Sequence, residues 1–589
     1  MAFQVSPGVA VKEIDLTNVI PAVSTSIGGF SGYFKWGPIG TVELISSENQ
    51  LSKTFGKPDS ETIIAEPYFQ AASFLNYGTS LKVVRAGTSA AGWLNASGAG
   101  ANSPDLSDIF IPNETDFEDV RSSVVSGEEI VARYAGAFGN GLRVYIFNTA
   151  QFNNVTGIND SPPELGASAD TETLAAAGVF DAAPDSGEIH VAVVDAAGNW
   201  GEAGVVVEKF ANLGISKTAK KADGTNNYFK TAINKSSEFI YYTKSDATAL
   251  TVTDVTGHDA TAGYDSPNTE ASLFKKYTLG GGADASSLTT GDIEAGLDVL
   301  GDAETEDVNL LFSQIASSGG VLQNKAHAVA IARKDAVAFL SPHVGATRGV
   351  TESAALANVK TFADSTITNR GTDGSYGVMD SSALYIYDKY NDVFRYIPAN
   401  GHIAGLCANT DSVADAWFSP AGFNRGSLRN VVKLAYNPKK ADRDELYKRG
   451  VNPISAFPGQ GIVLFGDKTA QSKPSAFDRI NVRRLFITLE KAISTAAKFQ
   501  LFELNDEFTR ATFRNAVEPF LRDVQGRRGI TDFLVVCDET NNTGQIIDTN
   551  QFVADIFIKP ARSINFITLN FIATRTGVDF AEVAGLSNG

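Results

Sequence analysis

Val308-Asn309-Leu310-Leu311-Phe312 and Val337-Ala338-Phe339-Leu340 are short apolar runs separated by a segment around Ala326 to Arg333, and a helical stretch from Asp292 to Leu300 precedes them. Strands that alternate with helices imply an α/β layer with some parallel pairing. Upstream, from Gly87 to Ser286, the chain is rich in Gly, Ala, Ser, Thr, Asn and Asp. Short β-like runs stand between turn signals there, at Val144 to Phe147, Ile189 to Val194 and Phe239 to Tyr242, and read as exposed, mostly β material. No internal repeat is detected.

Downstream lies the strongest helix. Within Arg479 to Phe499, Val482, Leu485, Phe486, Leu489, Ile493 and Ala496 recur at three- and four-residue steps and form one apolar stripe. Arg484, Lys491 and Lys498 are spaced seven apart, which stacks them on the face opposite that stripe. A second helix is expected after the cap Asn505-Asp506, carrying Phe513, Val517, Phe520, Leu521 and Val524, with Pro519 as a kink point. Strands follow at Phe533 to Cys537 and Asp555 to Lys559.

The 589 residues are about four domains' worth of chain. With 43% hydrophobic and 20% charged residues, the composition excludes a disordered or low-complexity protein. The net charge of −18 argues against a nucleic-acid coat or a binder of anionic membranes. Charge is unevenly placed. Residues 426–589 hold 22 Lys and Arg against 18 Asp and Glu, whereas the rest holds 27 against 49. Cys407 and Cys537 are too few for a disulfide framework, and five histidines spread from His190 to His402 offer no metal cluster. The N-terminus lacks a secretory signal, and no apolar run approaches the roughly 18 residues of a membrane span. A soluble chain of cytoplasmic origin is expected.

Both ends read as strands. Phe3, Val5, Val9 and Val11 share one parity, Ile14 and Leu16 resume the alternation after Glu13, and Pro7 confines the segment to an edge or bulge. At the far end Ile564 and Phe566 alternate, then Ile567, Leu569, Phe571 and Ala573. Burial of six apolar side chains in residues 3–16 would be offset by the cost of ordering them, so such an arm needs a sheet edge to join. Periodicity favours pairing within the chain and also admits pairing with a neighbour.

Catalytic patterns fail on inspection. Gly461 to Thr469 has nearly the spacing of a phosphate loop, but Asp467 intrudes before Lys468 and Ile462 to Phe465 reads as a strand. Gly280-Gly281-Gly282 lacks the full dinucleotide pattern. No zinc helix, paired-cysteine site or nucleophile turn is found, so neither a catalytic residue nor a cofactor or metal is expected.

Several motifs stand in order along the chain: Ser6 to Ile14, Gly37-Pro38 with Phe55-Gly56, Ala132 to Gly136 with Phe138 to Leu142, Gly461 to Thr469, and Ile480 to Phe486. Val517 to Leu521, Val536 to Asp538 with Asn541-Asn542, and Ala554 to Arg562 complete the set. Together they resemble the contractile tail sheath proteins of T-even-type bacteriophages. The resemblance implies a mixed α/β, α+β multidomain fold: a sheath-type core, inserted and mostly β protruding domains, and extended terminal β arms. The corresponding partition is an N-terminal arm at 1–20, an inner α/β domain at 21–88 plus 345–425, a small outer insertion at 89–130, a protruding domain at 131–344, a C-terminal core domain at 426–562, and a C-terminal arm at 563–589.

It further implies a non-enzymatic structural subunit that stacks as hexameric rings around a tail tube and contracts to drive the tube through the host envelope, without a nucleotide. The arms would add strands to neighbouring copies, and Arg484, Lys491 and Lys498 would face the tube. Implied partners are other copies, the tube protein, and baseplate and tail terminator proteins, with neither nucleic acid nor direct membrane insertion. The place would be the virion tail, after assembly in the host bacterial cytoplasm. The sheath of a non-viral contractile injection system is the second reading, and an acidic α/β hydrolase the third.

Overall fold

A computed structural model describes residues 24–60, 62–88, 92–99, 109–120, 128–147, 179–243, 275–285, 289–315, 318–565 and 567–569. Of the expected arm positions, Phe3, Val5, Val9, Val11, Ile14, Leu16, Phe566 and Phe571 lie outside these residues. The fold is mixed α/β, as the alternation of strands and helices implies.

Seven strands form the central sheet in the order Val451–Asn452, Gly377–Asp380, Val337–Leu340, Leu310–Ser313, Gly28–Gly32, Leu81–Arg85, Val42–Ile45. Every neighbouring pair is parallel except Val42–Ile45 on Leu81–Arg85. Helices cover both faces, which is why the inner strands are apolar without alternation. Helices Thr62–Leu75 and Asn400–Val413 pack on one face, where Phe74 stacks on Phe312 at 5.8 Å between ring centres and Phe30 meets Phe312 at 5.0 Å. Their close approach depends on Gly401, where a Cβ would lie 2.1 Å from the Gln70 carbonyl oxygen. Helices Thr290–Val299 and Val321–Arg333 cover the other face, and Ser31 Oγ there donates to the Ile293 carbonyl at 3.0 Å.

This sheet moves two of the expected boundaries. Leu310–Ser313 and Val337–Leu340 come from the range 131–344 expected to protrude, and Val451–Asn452 from the range 426–562. The cause is pairing: these strands are buried on both sides and can exist only within the layer to which Gly28–Gly32 belongs.

The outer unit is inserted after Arg85. Its four-stranded antiparallel sheet runs Lys275–Thr278, Leu142–Phe147, Glu188–Asp195, Val205–Gly214, and a three-stranded one runs Asn95–Ala99, Glu128–Ala135, Ile240–Tyr242. Strand Glu128–Ala135 crosses the expected 130/131 boundary and pairs on both sides of it, so the small insertion and the following segment share a sheet. The chain leaves and returns side by side, where Thr88 Oγ1 donates to Asp292 Oδ1 at 2.9 Å.

Arg85 fastens the outer unit to the core. Wholly buried, it donates to the carbonyls of Phe34 (2.9 Å), Gly37 (2.7 Å), Lys35 (3.2 Å) and Ala135 (2.7 Å), and lies over the Trp93 ring at 4.4 Å.

The C-terminal unit has a core of its own. Helices Ile480–Ala497 and Glu507–Gly526 contribute Leu485, Leu489, Phe513, Val517, Leu521 and Val524. Asp506 caps the second helix, accepting from the Thr509 amide at 2.8 Å, and Pro519 sits within that helix without ending it. Against this core lies the antiparallel pair Ile530–Val536 and Asp555–Pro560.

Candidate assembly surface

The strand pair Ile530–Val536 and Asp555–Pro560 follows period-2 geometry. Phe533, Val535, Ile556 and Ile558 turn towards the helices, so Leu534 and Phe557, which face each other across the pair, turn outward. They are 57% and 59% exposed, the reverse of what such side chains do in a finished sheet. The sheet has only these two strands, so among the described residues both its edges present unpaired amide and carbonyl groups. An isolated pair of strands is marginal in water and offers a template for another chain.

The chain continues from this pair into the expected C-terminal arm. Ile564, Ile567 and Leu569 are 82%, 77% and 70% exposed. A second apolar surface lies on the turn between the two helices and the first turn of the second, where Phe499, Leu501, Phe502, Leu504 and Phe508 are all exposed. Exposed apolar groups at this density mark surfaces that another chain covers.

The three basic residues expected on one open helix face do not share one. Ile480 to Leu485 are all buried, because the first turns of the helix lie against the unit built around the central sheet. Arg484 lies inside, with Nη2 2.6 Å from Asp411 Oδ2 and 3.2 Å from the Thr25 carbonyl oxygen. This is a correction to its expected outward placement: a period of seven reports stacking along a helix and not what lies beside it. Lys491 pairs with Asp307. Lys498 is exposed, at the start of the apolar turn.

His190, His402 and the two cysteines have structural surroundings. His402 is buried, its Nδ1 3.1 Å from the Tyr77 hydroxyl, and burial pushes its pKa down to about 3. His190 accepts at Nδ1 from the Asn212 amide at 3.0 Å and contacts the Ala182 carbonyl through Nε2. Cys407 and Cys537 are buried free thiols, and burial pushes Cys407 up to about 12. Gly461–Leu464 is a strand paired with Ile454–Phe457, as its apolar run implies, and so does not wrap a phosphate.

Leu534 and Phe557 were missed in the sequence reading. The signal was present: Phe533 to Val536 and Ile556 to Ile558 are apolar at consecutive positions, a pattern of burial on two faces, although the subunit supplies a cover for one.

Residues 287–470 match the phage tail sheath protein central domain, and residues 472–574 the phage tail sheath C-terminal domain. The tail sheath protein of Vibrio phage KVP40 is 33% identical, over 98% of this chain and 99% of its own. That of Enterobacteria phage T4 is 33% identical over 99% of each. The crystal structure of a sheath tail protein from Listeria innocua shares the fold, with a TM-score of 0.55 at 12% identity over 92% of this chain and 93% of its own.

Proposed function

Because this chain belongs to the phage tail sheath proteins, the structural subunits of contractile tails, we propose that its copies polymerise as stacked hexameric rings around a tail tube and contract to drive that tube through the host envelope. The supporting observation is the unfinished sheet Ile530–Val536 and Asp555–Pro560, with two open edges and with Leu534 and Phe557 uncovered. Strands supplied by neighbours complete it: the N-terminal arm through Phe3, Val5, Val9, Val11, Ile14 and Leu16, and the C-terminal arm through Ile564, Phe566, Leu569 and Phe571. Main-chain pairing suits a contracting lattice, since it survives a change in the angle between rigid bodies that would break a flat side-chain interface.

Contraction releases free energy held in a kinetically trapped lattice, so the subunit works without a nucleotide or cofactor. Tube contact falls to Lys498 and the turn that follows it, because Arg484 and Lys491 are engaged within the subunit. Baseplate and tail terminator proteins bound the two ends of the sheath. Assembly takes place in the host cytoplasm, and the product is part of the virion tail. Electron microscopy of the purified chain tests this reading: rings or tubes are expected, and monodisperse particles at every concentration would refute it.

A further inference from the structure

We propose that Asp467, with Tyr447 and Arg479, forms a clamp that fixes the root of the C-terminal arm at Ser563 and Asn565, so that each inter-subunit link leaves its subunit in a set direction. The inference deepens the assembly reading above and rests on it.

The clamp uses the stretch Gly461 to Thr469, whose near match to a phosphate loop the sequence left without a role. After strand Gly461–Leu464 the chain turns and sets Asp467 where it is 4% exposed. Its carboxylate accepts from four side chains. The Tyr447 hydroxyl donates at 3.1 Å and Arg479 Nη1 at 3.2 Å, both from the subunit's body. The other two come from the arm: Ser563 Oγ donates at 2.7 Å and Asn565 Nδ2 at 3.0 Å. Asn565 Nδ2 also reaches the Tyr447 hydroxyl at 2.7 Å, and Arg479 contacts the same hydroxyl. An ionised acceptor with its lone pairs filled in this way makes bonds about twice as strong as neutral ones.

Strand pairing does not explain why Ser563 and Asn565 sit here. The ladder ends with Pro560 opposite Ile530, and the last backbone bond among the described residues runs from the Ala561 amide to the Gly529 carbonyl, 3.1 Å. Beyond that bond the chain is tied by these side chains, while Ile564, Ile567 and Leu569 stand exposed. Tyr447 belongs to helix Lys440–Lys448 and Arg479 is the cap of helix Ile480–Ala497. A pull on the arm therefore passes into two helices and a strand at once, and the arm leaves the body in a fixed direction.

The test uses the full-length, unassembled chain with spin labels on Val413→Cys and Ile567→Cys, both exposed positions, the native thiols being buried, and follows tube formation on the unlabelled chain. Pulsed electron resonance should give one narrow distance distribution. The arm-side variant Ser563→Ala/Asn565→Ala, which leaves the Asp467–Tyr447–Arg479 contacts in place, should broaden it at least about twofold, and should raise the critical concentration for tube formation about tenfold. Asp467→Asn should broaden it likewise. A distribution equally narrow in the arm-side variant, or already broad in the labelled parent, overturns the clamp. So does an unchanged critical concentration beside a broadened distance. If the parent forms no tubes at all, the assembly reading fails, while the distance measurement still decides the clamp.

Discussion

Arg484 and Asp411 form an ion pair closed off from water, 2.6 Å between Nη2 and Oδ2, that joins the first C-terminal helix to the last turn of helix Asn400–Val413. Thr25 Oγ1 donates to the same carboxylate oxygen at 2.7 Å, so the start of the described chain is tied in as well. Arg484→Ala leaves Asp411 buried without its counter-charge and should cost about 3–5 kcal/mol in urea unfolding. Lys498→Glu, at an exposed site, should change stability by less than about 0.5 kcal/mol while weakening tube-templated assembly. Equal stability of the two variants would refute this division of roles.

Arg85 should behave as a fastening between the two large units. Arg85→Met abandons four carbonyls in a dry site and is expected to cost more than about 3 kcal/mol. Hydrogen exchange should accelerate around Lys35 and Ala135 before it does in the central sheet. Uniform acceleration across the chain would contradict the placement.

Leu534 and Phe557 should matter to the polymer and not to the monomer. Replacing both with Thr should leave the unfolding free energy within about 0.5 kcal/mol of the parent and abolish tubes in the electron microscope. Deleting residues 1–16 should have the same outcome: a folded subunit that does not polymerise. Normal tubes from the truncated chain would remove the N-terminal arm from the assembly.

Burial pushes the Asp380 carboxyl up to about 7, against the pull of hydrogen bonds from Ser341 and Ser382. In the unfolded chain the group titrates near 4. Between about pH 4 and pH 7 the folded state therefore holds a proton that the unfolded state has given up, and this contribution to stability is lost as pH rises through 7. Glu66, pushed up to about 7 by burial against the charges of Arg348 and Arg395, acts in the same sense. Asp380→Asn removes one such group, so its melting temperature relative to the parent should climb from pH 5 to pH 8. A constant difference would show that Asp380 does not titrate in this window.

The sequence was legible where periodicity and burial coincide. The strands at Leu310–Ser313 and Val337–Leu340, the helix Ile480–Ala497 and the cap at Asp506 all follow from local patterns. The partition did not follow, because a strand pairs with whatever the topology sets beside it, and Gly28 lies 282 positions from its partner Leu310. Arg484 was misplaced for a related reason: helical spacing gives a residue's azimuth, whereas its burial depends on Thr25, Cys407 and Asp411, all distant in sequence, folding against it. The clamp at Asp467 was beyond reach, since its donors lie at positions 447, 479, 563 and 565 and share no local pattern.

The adjacent chain crossings at Thr88 and Asp292 have an evolutionary consequence. Roughly two hundred residues leave the central layer and re-enter it side by side, so this excursion can lengthen or shrink between lineages without reordering a single strand of the sheet. The inserted unit is thereby free to diversify, while the layer it leaves keeps its architecture.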